Sequence, residues 1–204
     1  MKKNIPVTPP RGPSEHSIRD QIVNAATEHF THFGYEKTTV SDLAKAIGIS
    51  KAYIYKFFDS KQAIGEVICA NRLEMILLRV NSAIADAPSA CEKIRIIFNV
   101  LVAAGSDLFF NDRKLYDIAA VAVRDNWPSA QKYEATFREV ISQIITEGRQ
   151  SGEFERKTPL DEITAAICQV MRPYYSPVQL QYNLDTAATS AVLVSSLVLR
   201  SLSP

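Results

Sequence analysis

Val40-Ser41-Asp42-Leu43-Ala44-Lys45-Ala46-Ile47-Gly48-Ile49-Ser50-Lys51-Ala52-Tyr53-Ile54-Tyr55-Lys56-Phe57-Phe58 reads as two short helices joined by a tight turn. Thr39 stands at the N-cap of the first, and Asp42, three residues on, completes a capping-box pattern. Ala44 is the small residue needed where two steeply crossing helices touch. Gly48 supplies the positive φ that the turn demands, and Ser50 caps the second helix. Ile54, six residues past the glycine, plugs the gap between the helices, while Leu43, Ile47, Ile49 and Phe57 complete an apolar inner face. Lys51, Ala52, Tyr53, Tyr55 and Lys56 are left facing outward. Two lysines and two tyrosines on one exposed stretch suit phosphate oxygens and base edges. The spacing predicts a helix-turn-helix.

Working outward, apolar residues recur three and four apart from Ser17 onward, and no stretch alternates with period two for long. Ile18, Ile22, Ala26, Phe30 and Phe33 mark one face of a first helix that Gly34 ends. Ser60 starts a long helix running to about Ala85, and Ser89 with Glu92 starts another. Asn111 is expected to cap a helix reaching Asn126, and Pro128 to open one that ends near Gly152. Thr158-Pro159-Leu160-Asp161 reads as the start of a helix that Pro173 ends or kinks, and Asp185 as the cap of the last, to about Leu202. The expected fold is all-α, with about nine helices. Residues 1–16, with four prolines, are expected to form a flexible arm; 17–62 a helix-turn-helix domain; and 63–204 a larger helical domain.

The chain has 204 residues, 47% of them hydrophobic and 22% charged, enough for a sizeable core. Its formal charge of +1 conceals an asymmetry. Residues 1–61 carry nine Lys/Arg against six Asp/Glu, whereas the remainder carries fourteen against sixteen. A basic head on a mildly acidic body fits a nucleic-acid-binding module attached to something else. No apolar run reaches about 18 residues and no apolar stretch follows Lys2 and Lys3, so neither a membrane partner nor a secretory signal is expected. Cys69, Cys91 and Cys168 are odd in number and far apart, which suits a reducing cytoplasm. No Gly-rich phosphate loop is present, and no cofactor is expected. His29 and His32 have a chelating spacing but no third ligand in register, so no metal site is assigned. With no Ser/His/Asp or Cys/His constellation, an enzyme is not expected.

Phe30, Gly34, Tyr35, Thr39, Val40, Leu43 and Ala44, followed by Gly48-Ile49-Ser50-Lys51, Ile54-Tyr55, Phe57 and Ser60-Lys61, resemble the N-terminal domain of the TetR family of transcriptional regulators. The resemblance covers about residues 18–68, and Ala52 departs from it where glycine is common. It implies a homodimer whose paired recognition helices enter successive major grooves of a palindromic double-stranded DNA operator. It also implies a C-terminal domain that dimerises and binds a small-molecule effector, here unidentified, with the protein acting as a repressor. Thr39 is then placed at a phosphate, Ser50, Lys51, Ala52 and Tyr53 nearest the bases, and Tyr55, Lys56 and Lys61 as backbone clamps. The alternative is a small-molecule-binding helical protein that no longer reads DNA.

In the body, Ile163, Ala166, Ile167 and Val170, with Ala188, Ala191, Val192, Ser195 and Leu199, form two apolar stripes rich in small residues. They form either intramolecular core or, as the resemblance implies, a four-helix interface made by two helices from each subunit. Phe98, Phe109, Phe110, Tyr116, Trp127, Tyr133, Phe137, Tyr174 and Tyr175 hold most of the remaining aromatic mass. Trp127 at a helix junction and Tyr174-Tyr175 beyond Pro173 are expected to help enclose a mostly apolar pocket; Phe98, Phe109, Tyr116, Trp127, Phe137 and Tyr174 are its candidate lining, with Asn99, Arg124 and Gln169 as polar contacts.

Overall fold

The computed structural model describes residues 15–204. The expected arm falls outside the described residues except for Glu15 and His16, which open the first helix. Ten helices follow in order: α1 Glu15–Phe33, α2 Val40–Ile47, α3 Lys51–Ile54, α4 Lys61–Ile84, α5 Ala90–Asn111, α6 Arg113–Arg124, α7 Pro128–Ser151, α8 Leu160–Tyr175, α9 Pro177–Leu180 and α10 Leu184–Ser201. The fold is all-α.

The starts of the helices show why the chain folds here. The Thr39 hydroxyl accepts from the Asp42 N–H at 3.2 Å, and the Asp42 carboxylate accepts from the Thr39 N–H at 2.9 Å, closing the capping box. Ser50, Ser60 and Ser89 accept from Tyr53, Ala63 and Glu92 in the same way. Gly34, Gly48 and Gly152 all take positive φ where helices end.

Four starts or stops differ from expectation. Asp112, not Asn111, caps α6, accepting from Leu115 N–H at 3.2 Å. Asn183, not Asp185, stands at the N-cap of α10. Thr158 does not cap α8: Pro159 holds the N-cap position, its carbonyl accepting from the Ile163 N–H at 3.1 Å, and Thr158 is tied instead to Glu155 through its N–H and to Arg149 through its carbonyl. Pro173 does not end α8, which continues to Tyr175. The proline deletes only the donor that would have reached Gln169, and the Ser176 N–H still closes on the Arg172 carbonyl at 2.9 Å. Pro177 then starts α9, the short helix that makes ten rather than nine.

Two apolar cores are strung along α4. Ile64, Ile68 and Cys69 belong to one, shared with α1, α2, α3, α6 and Trp127; Val80 and Ile84 belong to the other, built by α5, α7, α8 and α10. Phe33 is not part of the first, being 58% exposed against His29, and Tyr35 enters in its place with its ring edge on Phe30 at 5.2 Å. Phe58 is likewise the fully buried member of its pair, and Phe57 only half-buried. Helix α5 is long and apolar enough by composition to cross a membrane, with a mean hydropathy of 1.4 in its most apolar window. Its Ile94, Ile97, Phe98, Leu101 and Val102 are instead spent on the second core.

Glu153, just past α7, binds the start of α5. Its carboxylate accepts from the N–H groups of Ala90 at 3.2 Å and Cys91 at 3.0 Å, and from the Ser151 hydroxyl at 2.8 Å. These donors, with the Cys91 N–H foremost, hold its pKa down to about 2. A lowered carboxylate contributes stability that is complete above the ordinary value of 4.5 and is lost as pH falls toward 2. Glu153→Gln is therefore expected to lower the denaturation midpoint at pH 7, by the equivalent of about 1 kcal/mol for a lost cap. The gap from the native chain should close as the pH of the melts is lowered. A gap unchanged at acid pH would assign the loss to packing.

Candidate DNA-binding surface and effector cavity

The turn between α2 and α3 is held by Gly48 and Ile49 N–H groups donating to the Ala44 carbonyl, each at 3.0 Å. Ile54 is fully buried between the helices, as its spacing from Gly48 predicts. After Ile54 the backbone continues in turns through Phe58, so Tyr55 and Lys56 extend the face that α3 begins. Ser50, Lys51, Ala52, Tyr55 and Lys56 are exposed and Tyr53 half-buried, so the structure brings these six onto one surface. Lys51 Nζ sits 5.8 Å from the centre of the Tyr55 ring, and Lys56 Nζ lies 5.5 Å from that of Tyr53. The Tyr53 ring rests edge-on against Phe57 at 5.4 Å, which roots it in the domain. Among the described residues neither lysine is paired with a carboxylate. The aromatic partners orient the ammonium groups without neutralising them.

Thr39 is exposed at the N-terminus of α2, its hydroxyl also donating to Asp42 at 2.6 Å. Lys61 is less free than its position in the sequence implies. Its ammonium lies 4.3 Å over the Tyr35 ring and donates to the Tyr35 carbonyl at 3.0 Å. Burial pushes its pKa down, opposed by the Glu36 carboxylate. Arg19, which sequence reasoning did not single out, stacks on Phe58 at 4.5 Å and adds a positive group beside this surface. Its signal was present in the sequence only as one more helical cation.

A narrow cavity of about 40 Å³ lies where α4, α5, α6 and α7 converge on Tyr175 and α9. A second of about 20 Å³ continues it, sharing Cys69, Leu73, Ala119, Tyr133, Tyr175 and Pro177. The wall is mostly apolar, with Arg72 and Glu134 as its charged members, and its thiol and phenols are neutral. Burial pushes the Cys69 thiol up to about 11 and the Tyr116 and Tyr175 phenols to about 12. Tyr116 donates to the Pro177 carbonyl at 2.6 Å, fixing α6 to α9.

Of the candidate pocket residues, only Tyr116 lines this space. Phe98, Phe137 and Tyr174 are buried in the second core, and Phe109 packs edge-on against Tyr116 at 5.0 Å. Asn99 and Gln169 face solvent. Arg124 is an exposed residue paired with Asp125 at 2.9 Å and Glu36 at 3.3 Å. Trp127 packs outside the cavity, its ring edge 5.5 Å from Tyr35 and its six-membered ring against Gly65, where a Cβ would come within 3.0 Å of it. Tyr175, expected with Tyr174 to help enclose a pocket, does line the cavity, as does Tyr133, which was counted only as aromatic mass.

Helix α6 thus has two working faces. Tyr116 and Ala119 look into the cavity, while Val121, Ala122 and Arg124 meet the helix-turn-helix side. Glu66 reinforces the joint by accepting from the Ser129 N–H at 3.0 Å, tying α4 to the start of α7. The fold and this surface define a DNA-binding protein of the helix-turn-helix class with an appended helical body. Two family profiles match the chain: "Bacterial regulatory proteins, tetR family" over residues 22–67, and "Tetracyclin repressor-like, C-terminal domain" over 90–192. The chain belongs to the TetR family of transcriptional regulators, which are DNA-binding proteins and not enzymes.

It is 27% identical over 139 residues to the fatty acid metabolism regulator protein of Bacillus subtilis, covering 66% of this chain and 70% of that one. Over 49 residues it is 43% identical to the negative transcriptional regulator of the biofilm operon icaADBC from Staphylococcus aureus, 24% of this chain and 26% of that one. The fold is also similar to that of the Bacillus subtilis regulator FadR solved in complex with stearoyl-CoA. That likeness has a TM-score of 0.66 at 20% identity and covers 90% of this chain and 98% of that one.

Proposed function

We propose that this regulator is a cytoplasmic, homodimeric repressor that holds a palindromic operator and releases it when a small molecule enters the body. The observation that carries the reading is the exposed surface from Ser50 to Lys56, with two cations held over tyrosine rings and no carboxylate to neutralise them. Ser50, Lys51, Ala52 and Tyr53 meet base edges, and the Ala52 methyl is suited to a thymine methyl. Tyr55 and Lys56 contact the backbone, and Thr39 offers a phosphate the N-terminus of α2. Lys61 has two N–H donors left for a phosphate beyond the one given to Tyr35.

A palindromic site needs a two-fold axis, and α8 with α10 offers the face for it. The expected stripe is corrected in its detail. Ala191 is fully buried, Ser195 and Leu199 are buried too, and all three turn inward. Val170, Val192, Leu193 and Leu197 are the large apolar side chains left exposed on these two helices. They supply the dimer contact.

For the effector, the apolar cavity and the relatives' printed names point the same way. One similar protein regulates fatty acid metabolism and one similar fold was solved with stearoyl-CoA. A molecule with a long acyl chain is the proposed ligand. As it stands the cavity holds little more than a few waters, so the chain enters only by spreading α4 from α6. That movement reaches the DNA surface through Trp127, Tyr35 and Lys61, and a typical coupling of 1–3 kcal/mol makes operator affinity fall about 5- to 150-fold.

The reading is tested by titrating duplex DNA of random sequence at several salt concentrations with the native protein and Lys56→Ala. Removing one phosphate contact is expected to weaken binding across all sequences and reduce the magnitude of the salt slope by about one unit. An unchanged slope would take Lys56 out of the interface.

A further inference from the structure

The effector cavity has a charged doorway. Arg72, Ile76 and Leu108 line both the cavity and an open groove of about 320 Å³ between α4 and α5, so the two spaces meet at these three residues. Arg72 is half-buried there, and among the described residues it has no hydrogen bond or ion pair. The groove contains two carboxylates, and both are engaged. Asp107 is held by Arg79 at 2.9 Å, and Asp112 caps α6 through the Leu115 N–H. Among the described residues the part of the cavity that Arg72 joins has no carboxylate, and the one in its continuation, Glu134, is held by Arg172 at 3.1 Å. A half-buried guanidinium without a partner gives up hydration for nothing unless an anion from outside completes it.

We infer that Arg72 anchors the acidic head of an amphipathic effector lying in the α4–α5 groove, while its apolar tail passes Ile76 and Leu108 into the cavity. The inference rests on the proposal that the body binds an acyl-chain effector, and adds where the ligand enters and which group selects it. Arg79 is excluded as the anchor because Asp107 already neutralises it. The track from Ile76 to Cys69 follows α4 for about 10 Å at 1.5 Å per residue, so an extended chain runs along the helix rather than across it. The shared requirement is an anion next to a long aliphatic chain, which a fatty acid carboxylate and the phosphates of an acyl-CoA both meet.

Fluorescence titrations with palmitate, palmitoyl-CoA and 1-hexadecanol test this on the native protein, Arg72→Gln and Arg72→Lys. Arg72→Gln is expected to weaken the charged probe that serves as ligand by about 10- to 100-fold, as removal of a charge-assisted hydrogen bond does. Binding of hexadecanol should stay within about 2-fold, because only the tail is recognised. Arg72→Lys should recover part of the loss by restoring the charge. Loss with palmitoyl-CoA alone would identify phosphates as the anchored group, and loss with palmitate would identify the carboxylate. If the charged probes bind Arg72→Gln as well as they bind the native protein, the doorway assignment is overturned and the acyl-chain reading stands. If none of the three probes binds the native protein, the acyl-chain reading itself falls.

Discussion

Placing arginine at both Leu193 and Leu197 is expected to turn the protein into folded monomers and lower operator affinity by at least about 10²-fold. These side chains are 66% and 61% exposed on α10, an unusual amount of apolar area for one helix face. Two arginines there cost the fold of a single subunit little, because neither position touches the core. In a dimer they would face the partner's apolar surface across the axis and leave four charges without water. A monomer keeps one recognition helix and loses the joined second half-site, a multiplicative term of about 10²–10⁴. Sedimentation velocity reads the first effect and gel-shift titration the second. Ala191→Arg is the contrast: that residue is fully buried against α5, and a charge there should unfold the body rather than separate subunits. A dimer that survives the double substitution would move the interface to another face.

Trp127→Ala is expected to cost about 3–5 kcal/mol of stability, the range for deleting a large buried aromatic. Trp127 is the joint between body and DNA surface, packed at once on Tyr35 and on Gly65, with Ala130 in the same core. Its loss leaves a cavity behind Tyr35, whose ring and carbonyl hold Lys61. Operator affinity should therefore fall along with the urea midpoint. A stability loss below about 1 kcal/mol would mean that the joint repacks and that α6 transmits its motion by another route.

Leu193, Leu197 and Trp127 also mark how far the sequence could be read. The helix-turn-helix was legible almost atom by atom, because its demands are local. A cap at Thr39, a positive φ at Gly48 and a plug at Ile54 depend on neighbours a few residues away, and all three appear as read. Facing was harder. Periodicity puts Ala191, Val192, Ser195 and Leu199 on one broad apolar arc of α10, but an all-round apolar helix does not say which side meets α5. Ala191, Ser195 and Leu199 turned inward, where α5 lies close, while Val192, Leu193 and Leu197 turned outward. The cavity was least legible. It is lined from α4, α5, α6, α7, α8 and α9 together, so no sequence-local pattern could separate Tyr133 and Tyr175, which line it, from Phe98 and Phe137, which fill the second core. Arg72 carried no signal beyond being one arginine on a long helix, and its meaning came only from the absence of a partner.

The measurement that bears most directly on the account is selection of bound duplexes from a genomic fragment library at about 0.15 M salt, near physiological ionic strength. The selected pool would then be challenged with palmitoyl-CoA. The account predicts enrichment of a palindrome whose half-site centres lie about 34–36 Å apart, or a multiple of that, and release of the enriched duplex by the acyl ligand. A folded dimer that enriches no sequence, or that holds its duplex unchanged when the ligand fills the body, would contradict it.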